Sequence, residues 1–370
     1  MYNTLLYGYA AKNVGDDLFF YILANRYPNV QFYIESDYYK TGQLSNNLHF
    51  ISNKESLFRQ ILRRFLNKIV GYCVFLNKRL LQFEFDNIVF IGGSIFIEHQ
   101  YPFYYYDKYL NQHEFFAGKP INILGCNYGP ARTGVFYNSV YHFLEKAQDV
   151  CFRDSKSFNL FKDISHCRVE KDIVFSYKKE RRNKEENCIG ISVIDLSNRD
   201  YPEEIKTLYI DSIICFIKKY LKRGYTFKLF SFCELEGDLE VCSEMLARIN
   251  SPKVTIVNYV GDLSHFVEIF ISCSMIIATR FHACVLALTH QIPLLPILYS
   301  SKTINMLDDV GFCGEKVSLN ECKKLCSLNV ESLDNNILSS SDLISIAESA
   351  ERQFYYLDKY YKRICQDFQS

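Results

Sequence analysis

The chain has 370 residues, 48% of them apolar and 23% charged, which is the balance of a folded protein. Its length exceeds one ordinary core, so two domains are expected. Lys plus Arg and Asp plus Glu number 42 each, for zero net charge. That argues against nucleic acid as the main partner, because phosphate-backbone binding draws on a basic excess.

The 14 cysteines contain no C-x-x-C pair, so neither a zinc ribbon nor a thioredoxin-type site is supported and no metal is expected. Many sit in apolar runs, as at Cys151, Cys215, Cys273 and Cys284, and read as free thiols of a reducing compartment. The N-terminal stretch over 1–17 lacks the basic and long apolar regions of a signal peptide. No uncharged apolar run approaches the roughly 20 residues of a spanning helix. The expected address is cytoplasmic.

In chain order, candidate strands of the first half are Thr4–Tyr9, Val30–Ile34, Asn87–Ile91, Ile121–Gly125 and Asp149–Phe152. Asp16–Arg26 and Phe136–Ala147 carry apolar residues at helical spacing. Strands alternating with such helices predict a parallel sheet covered on both faces. The charged stretch over 177–187 has no apolar face and reads as a solvated linker.

A second series then begins. Its strands are Cys188–Ile194, Thr226–Ser231, Val254–Val257, Met275–Ala278 and Pro293–Leu298. Its helices are Pro202–Lys222, Leu239–Ile249, Leu263–Ser272, His282–His290 and Thr303–Val310, with Gly224 placed as a C-terminal cap. Ser341–Ile364 reads as one long amphipathic helix that could cross back onto the first domain. The fold class is therefore α/β with two Rossmann-like domains, 1–176 and 188–340, joined by 177–187 and followed by 341–370. Such a pair places the site in an interdomain cleft, at the C-terminal strand ends.

Five places could carry chemistry. Asn13, Gly15 and Asp16 follow the first strand and open the first helix, where free N–H groups favour anions; an Asp helix cap is the plainer reading. The spacing is neither a dinucleotide fingerprint nor a P-loop. Gly92, Gly93 and Ser94 end another strand, and Gly125 and Gly129 flank the next tip. Paired glycines there permit close approach of a ligand or of neighbouring backbone.

Arg153 ends a strand ahead of Asp154 and Ser155, and could hold a carboxylate or phosphate bidentately or form a structural Arg–Asp pair. Arg280 and His282 stand between an apolar strand and an apolar helix. Burying a permanent cation there requires a partner, which a bound anion would supply. His282 could bind a phosphate or move a proton. The aromatic run Tyr101–Tyr106 fits a packed helix start or a sugar-binding surface.

In this order the pieces resemble the polysaccharide pyruvyltransferase family over nearly the whole chain: NVGDD, FIGGS, the Gly-Pro turn, FRDS, Asp172, then ATRFHACVLALTHQIPLLPILYSSK ending in Tyr299 and Lys302. Ile173 stands where a proline often follows the aspartate, and Ser301 where an aspartate often precedes the lysine. The resemblance implies a fold similar to GT-B glycosyltransferases. It also implies transfer of a pyruvyl group from phosphoenolpyruvate to a glycan or its lipid-linked precursor, with no further cofactor. Arg153, Arg280, His282 and Lys302 would hold the donor. His282 would transfer a proton or assist phosphate departure, and Asp16 would serve as the acceptor-side base. Asn13, Gly15, Gly92, Gly93, Ser94 and Gly129 would line the acceptor side or cleft.

Two other functions suit the same residues. A nucleotide-sugar glycosyltransferase would set Arg280 and Lys302 on a diphosphate. A non-catalytic glycan-assembly scaffold would tolerate loss of both Arg280 and His282. The basic amphipathic segment over 57–70 reads either as a helix packed on the first sheet or as a peripheral contact with the inner membrane face.

Overall fold

A computed structural model describes residues 2–40, 42–52, 83–98, 118–181, 183–197, 199 and 201–367. The basic segment 57–70 and the aromatic run 101–106 lie outside them. The chain forms two compact units. One comprises Met1–Ala10, Phe19–Asp172 and Arg352–Ser370; the other comprises Ala11–Leu18 and Ile173–Glu351.

In the first unit, β1 (Tyr2–Tyr7), β2 (Val30–Glu35), β3 (Leu48–Ile51), β4 (Asn87–Ile91), β5 (Ile121–Cys126), β6 (Asp149–Phe152) and β7 (Cys167–Val169) make one sheet. Its order is β3-β2-β1-β4-β5-β6-β7, and every neighbouring pair is parallel. Every residue of β4, β5 and β6 is buried, whereas β2 and β3 alternate. Continuous apolar runs suit strands covered on both faces; alternation suits the half-covered edge. Helix α1 (Val14–Arg26) starts in the second unit and continues in the first from Phe19, and α2 (Gly134–Glu145) and α3 (Ser155–Phe161) belong to the first. Val140, Phe143 and Leu144 of α2 pack with Phe90, Ile123 and Phe152 of the sheet.

The second unit repeats the plan. Its sheet has β8 (Glu185–Ser192), β9 (Thr226–Ser231), β10 (Val254–Asn258), β11 (Cys273–Ala278), β12 (Leu294–Leu298) and β13 (Val317–Ser318) in the order β10-β9-β8-β11-β12-β13, again all parallel. Its helices are α4 (Glu203–Leu221), α5 (Asp238–Ile249), α6 (Leu263–Ser272), α7 (Phe281–Thr289), α8 (Ser301–Asp309), the short α9 (Lys324–Ser327) and α10 (Ser340–Arg352). Ile213, Phe216 and Ile217 of α4 pack against Ile189, Ile191, Leu229 and Ile277.

Three expectations need amendment. The short edge strands β3, β7 and β13 escape a periodicity reading because they have only 4, 3 and 2 residues. The charged stretch is not all linker: β8 begins at Glu185, whose carboxylate meets Lys228 Nζ at 2.5 Å. The long helix expected over 341–364 is two, α10 and α11 (Tyr355–Asp367), with a turn at Gln353 and Phe354.

Gln353 is fully buried at that break, and its side chain is committed to the first sheet. Oε1 accepts from Gly125 N–H at 3.0 Å, and Nε2 donates to the carbonyls of Glu170 (3.2 Å) and Lys171 (3.1 Å). Helix α11 is pinned in the same unit, where Arg26 Nη2 meets Asp358 Oδ2 at 2.8 Å and the hydroxyls of Tyr361 and Thr4 lie 2.8 Å apart. No helix among the described residues is long and apolar enough to cross a membrane.

Candidate active site

In the second unit, Arg280 follows β11 and His282 opens α7, and two carboxylates of the same chain partner Arg280. Its Nε donates to Asp238 Oδ2 at 2.8 Å, Nη2 to Asp238 Oδ1, and Nη1 to Glu236 Oε2 at 2.5 Å. The counter-charge that a buried cation requires comes from two carboxylates, Glu236 and Asp238. Both follow β9, on a turn whose Gly237 has φ of +85°, a conformation that favours glycine. Asp238 is fully buried and also accepts from the backbone N–H of Phe232 (3.1 Å) and Cys233 (3.2 Å).

Burial works against the charge of Arg280, yet Asp238 and Glu236 hold it well above its ordinary pKa. Burial also pushes the Asp238 carboxyl up, with Arg280 opposing. For Glu236, burial is outweighed by Arg280 and Arg199, and its pKa is lowered.

His282 is half-buried and lies on Gly15. A Cβ at Gly15 would stand 1.8 Å from His282 Nδ1 and 2.4 Å from Cγ and Cε1, so the imidazole fills the space a side chain would take. The Gly15 N–H donates to Asn13 Oδ1 at 3.0 Å, which makes Asn13, rather than an aspartate, the capping side chain of α1. Asn13 Nδ2 reaches Glu236 Oε1 at 3.3 Å, tying this turn to the carboxylates around Arg280. Asp16 is half-buried in the same first turn. Its neighbour Asp17 is fully buried and accepts from the hydroxyl of Tyr259, whose pKa burial and that carboxylate push up.

In the first unit, Arg153 leaves the end of β6 buried, with Nη1 on Asp172 Oδ2 at 2.9 Å and Nη2 on Asn127 Oδ1 at 2.7 Å. Gly93 is to Arg153 what Gly15 is to His282: a Cβ there would lie 2.2 Å from Cζ, Nη1 and Nη2. Asp154 caps α3, accepting from Ser157 N–H and Oγ at 2.8 Å each. Gly129, φ +94°, ends the β5 turn at a cis Gly129–Pro130 bond. Gly92 and Ser94 share the β4 tip with Gly93. Lys302 is half-buried in the first turn of α8, which follows β12 beside β11.

Sequence reasoning missed Glu236, Asp238, Asn127 and Tyr259. The signal for the first two was present: an acid-Gly-acid step after an apolar strand is the complement that a buried strand-end arginine demands.

The sequence profile of the family described as "Polysaccharide pyruvyl transferase" matches residues 13–301. No curated protein matches the chain. Among solved structures, it is similar to the UDP-GlcNAc 2-epimerase of Methanocaldococcus jannaschii (TM-score 0.56, 10% identity, 96% of this chain and 99% of that one). It is also similar to MnaA of S. aureus solved with UDP (0.58, 9%, 97% and 97%). A third is a glycosyltransferase of Rickettsia africae (0.52, 10%, 95% and 93%). These likenesses show the fold: two parallel-sheet α/β domains of GT-B type.

Proposed function

Because the chain belongs to the polysaccharide pyruvyl transferase family, we propose that it transfers the pyruvyl group of phosphoenolpyruvate to a sugar of a surface polysaccharide or its lipid-linked precursor, forming a cyclic ketal. The observation that carries this reading is the seat of His282 on Gly15, which brings the first and last of the family's motifs into one contact.

Ketal formation begins with a proton delivered to C3 of the enol, which makes C2 electrophilic. A sugar hydroxyl attacks C2 as its proton passes to a base. The phosphate then leaves, and a second hydroxyl closes the ring on the same carbon. Phosphoenolpyruvate and a diol thus become ketal and phosphate, without oxidation or reduction. His282 is assigned the proton transfer or assistance to the departing phosphate, and Asp16 the base. Arg153, Arg280 and Lys302 are assigned to the donor's anions; the carboxylates on the two arginines fix the guanidinium planes before the donor arrives. Asn13, Gly15, Gly92, Gly93, Ser94 and Gly129 are assigned to the acceptor side.

The test is purified protein with phosphoenolpyruvate and a panel of lipid-linked and aryl glycosides, read by phosphate release and a mass gain matching the ketal. Activity lost with EDTA and restored by a divalent ion would overturn the metal-free scheme. Nucleotide-sugar transfer is favoured by fold likeness alone. Thermal shifts with UDP- and GDP-sugars but none with phosphoenolpyruvate would replace the pyruvyl reading with it.

A further inference from the structure

At the tip of β12, two hydroxyls are buried without hydrogen-bond partners among the described residues: Ser300 Oγ and Thr303 Oγ1. Thr303 is fully buried. A hydroxyl withdrawn from water without a partner is costly, and such an atom calls for an explanation.

The two flank the first turn of α8, a helix of nine residues. Ser300 occupies the N-cap position in extended conformation, yet its side chain makes no capping bond. The first N–H groups of a helix have no intrahelical acceptor and carry the positive end of its dipole. Each Cα–Cβ bond of a helix tilts toward the N-terminus, so the Thr303 side chain leaves the backbone toward that end of α8. The turn has no acidic residue, and Lys302 adds a cation to it. The Tyr299 carbonyl just ahead of the turn accepts from the Tyr201 hydroxyl. Arg199 lies over the Tyr299 ring, 5.2 Å from its centroid. The helix N–H donors, the two hydroxyls and the Lys302 cation therefore share this one turn.

We propose that Ser300 Oγ, Thr303 Oγ1 and the first N–H groups of α8 form an oxyanion subsite that takes a phosphate group. That this phosphate is the one carried by phosphoenolpyruvate rests on the pyruvyl-transfer reading; the diphosphate of a nucleotide has the same chemistry. The proposal also explains why two hydroxyls are buried unpaired: the bound anion accepts from both.

The experiment uses the full chain, its Ser300→Ala and Thr303→Val variants and the double variant. Isothermal titration with inorganic phosphate, phosphoenolpyruvate and UDP forms three arms, and thermal melting is recorded without ligand. Removing an unpartnered buried hydroxyl leaves the ligand-free melting point unchanged or raised. Hydrogen bonds to a charged acceptor are the strong ones, so the double variant should bind phosphate and phosphoenolpyruvate at least about tenfold more weakly.

Binding of UDP but not phosphoenolpyruvate, lost in the double variant, upholds the subsite and overturns the pyruvyl reading. Unchanged affinity in the double variant overturns the subsite, even where phosphoenolpyruvate-dependent transfer persists. A lower ligand-free melting point in Thr303→Val also overturns it, because the hydroxyl would then have an internal partner.

Discussion

Replacing Gly15 by alanine separates the positioning of His282 from the folding of the chain. The added methyl carbon would stand 1.8 Å from Nδ1 and 2.4 Å from Cγ and Cε1. An ordinary carbon contact is about 3.5 Å, so the ring must retreat by roughly 1.5 Å or leave its rotamer. A displaced rotamer costs about 0.5–1.5 kcal/mol, while alanine for glycine in a helix contributes roughly 0.5–1 kcal/mol of stability. The two nearly cancel, so the melting temperature should stay within a few degrees.

The proton-transfer role proposed for His282 has no such cancellation. A displacement of about 1 Å at a reacting group costs on the order of 100-fold, or about 2.7 kcal/mol of transition-state stabilisation. The assay is phosphate release from phosphoenolpyruvate with a sugar acceptor, and kcat/KM should fall about 100-fold with folding intact. Gly15→Ala combined with His282→Ala should be no slower than His282→Ala alone, since the methyl acts only through the ring. Gly134→Ala is the control, because a Cβ there meets nothing within 4 Å. Wild-type kcat/KM in Gly15→Ala would refute the claim that the glycine seat sets the histidine's working position.

Gly93→Ala should behave differently, because the guanidinium it strikes is bound to Asp172 at 2.9 Å and Asn127 at 2.7 Å. Moving Arg153 strands a buried carboxylate, so a loss of about 3–5 kcal/mol is expected in urea unfolding; an unshifted midpoint would show the guanidinium free to move. Arg280→Ala leaves Asp238 buried without its cation, and a similar loss is expected, with at least half recovered on adding Asp238→Asn. No recovery would mean that the pair is not what holds Arg280.

His290 supplies the pH test. Burial lowers its pKa from 6.5, with Arg181 and Lys179 also opposing the proton, and Nε2 has no partner among the described residues. The unfolded chain therefore binds more protons just below pH 6.5. The stability His290 contributes is full above that pH and lost as pH falls through the lower folded value. His290→Gln should shrink the stability difference between about pH 7.5 and 5.5, and an unchanged difference in chemical denaturation would refute the assignment.

The α/β alternation was legible because long apolar strands and amphipathic helices write different periods into the sequence. β4, β6 and β9 were placed to the residue for that reason. Strands of two to four residues hold too few side chains to write a period, which is why β3, β7 and β13 were not seen. The break at Gln353 was hidden because helical spacing continues through it. What interrupts the helix is a buried amide serving backbone groups distant in sequence. Arg280 and His282 were legible as polar residues in an apolar setting. The acid-Gly-acid step at Glu236–Asp238 and the glycine at Gly15 stand in the sequence too, but nothing local in it pairs them with Arg280 and His282.

The strand-tip groups differ in what an arriving anion could change. Arg153 and Arg280 are held by carboxylates, and Arg280 shares one of its two, Glu236, with Arg199 and Asn13. Their geometry is fixed beforehand, but their charge is largely answered within the chain, so a direct bond to a donor gains only what it adds to those pairs. Ser300 and Thr303 stand at the opposite extreme, with buried hydroxyls that no described neighbour satisfies. A newly satisfied buried donor contributes more than a donor that exchanges one acceptor for another. Arginines would then set direction, and the α8 turn would supply the net gain on binding. On that argument, Thr303→Val should raise the donor's Kd more than Arg280→Lys does, once both are corrected for folding, and the reverse order in titration would refute it.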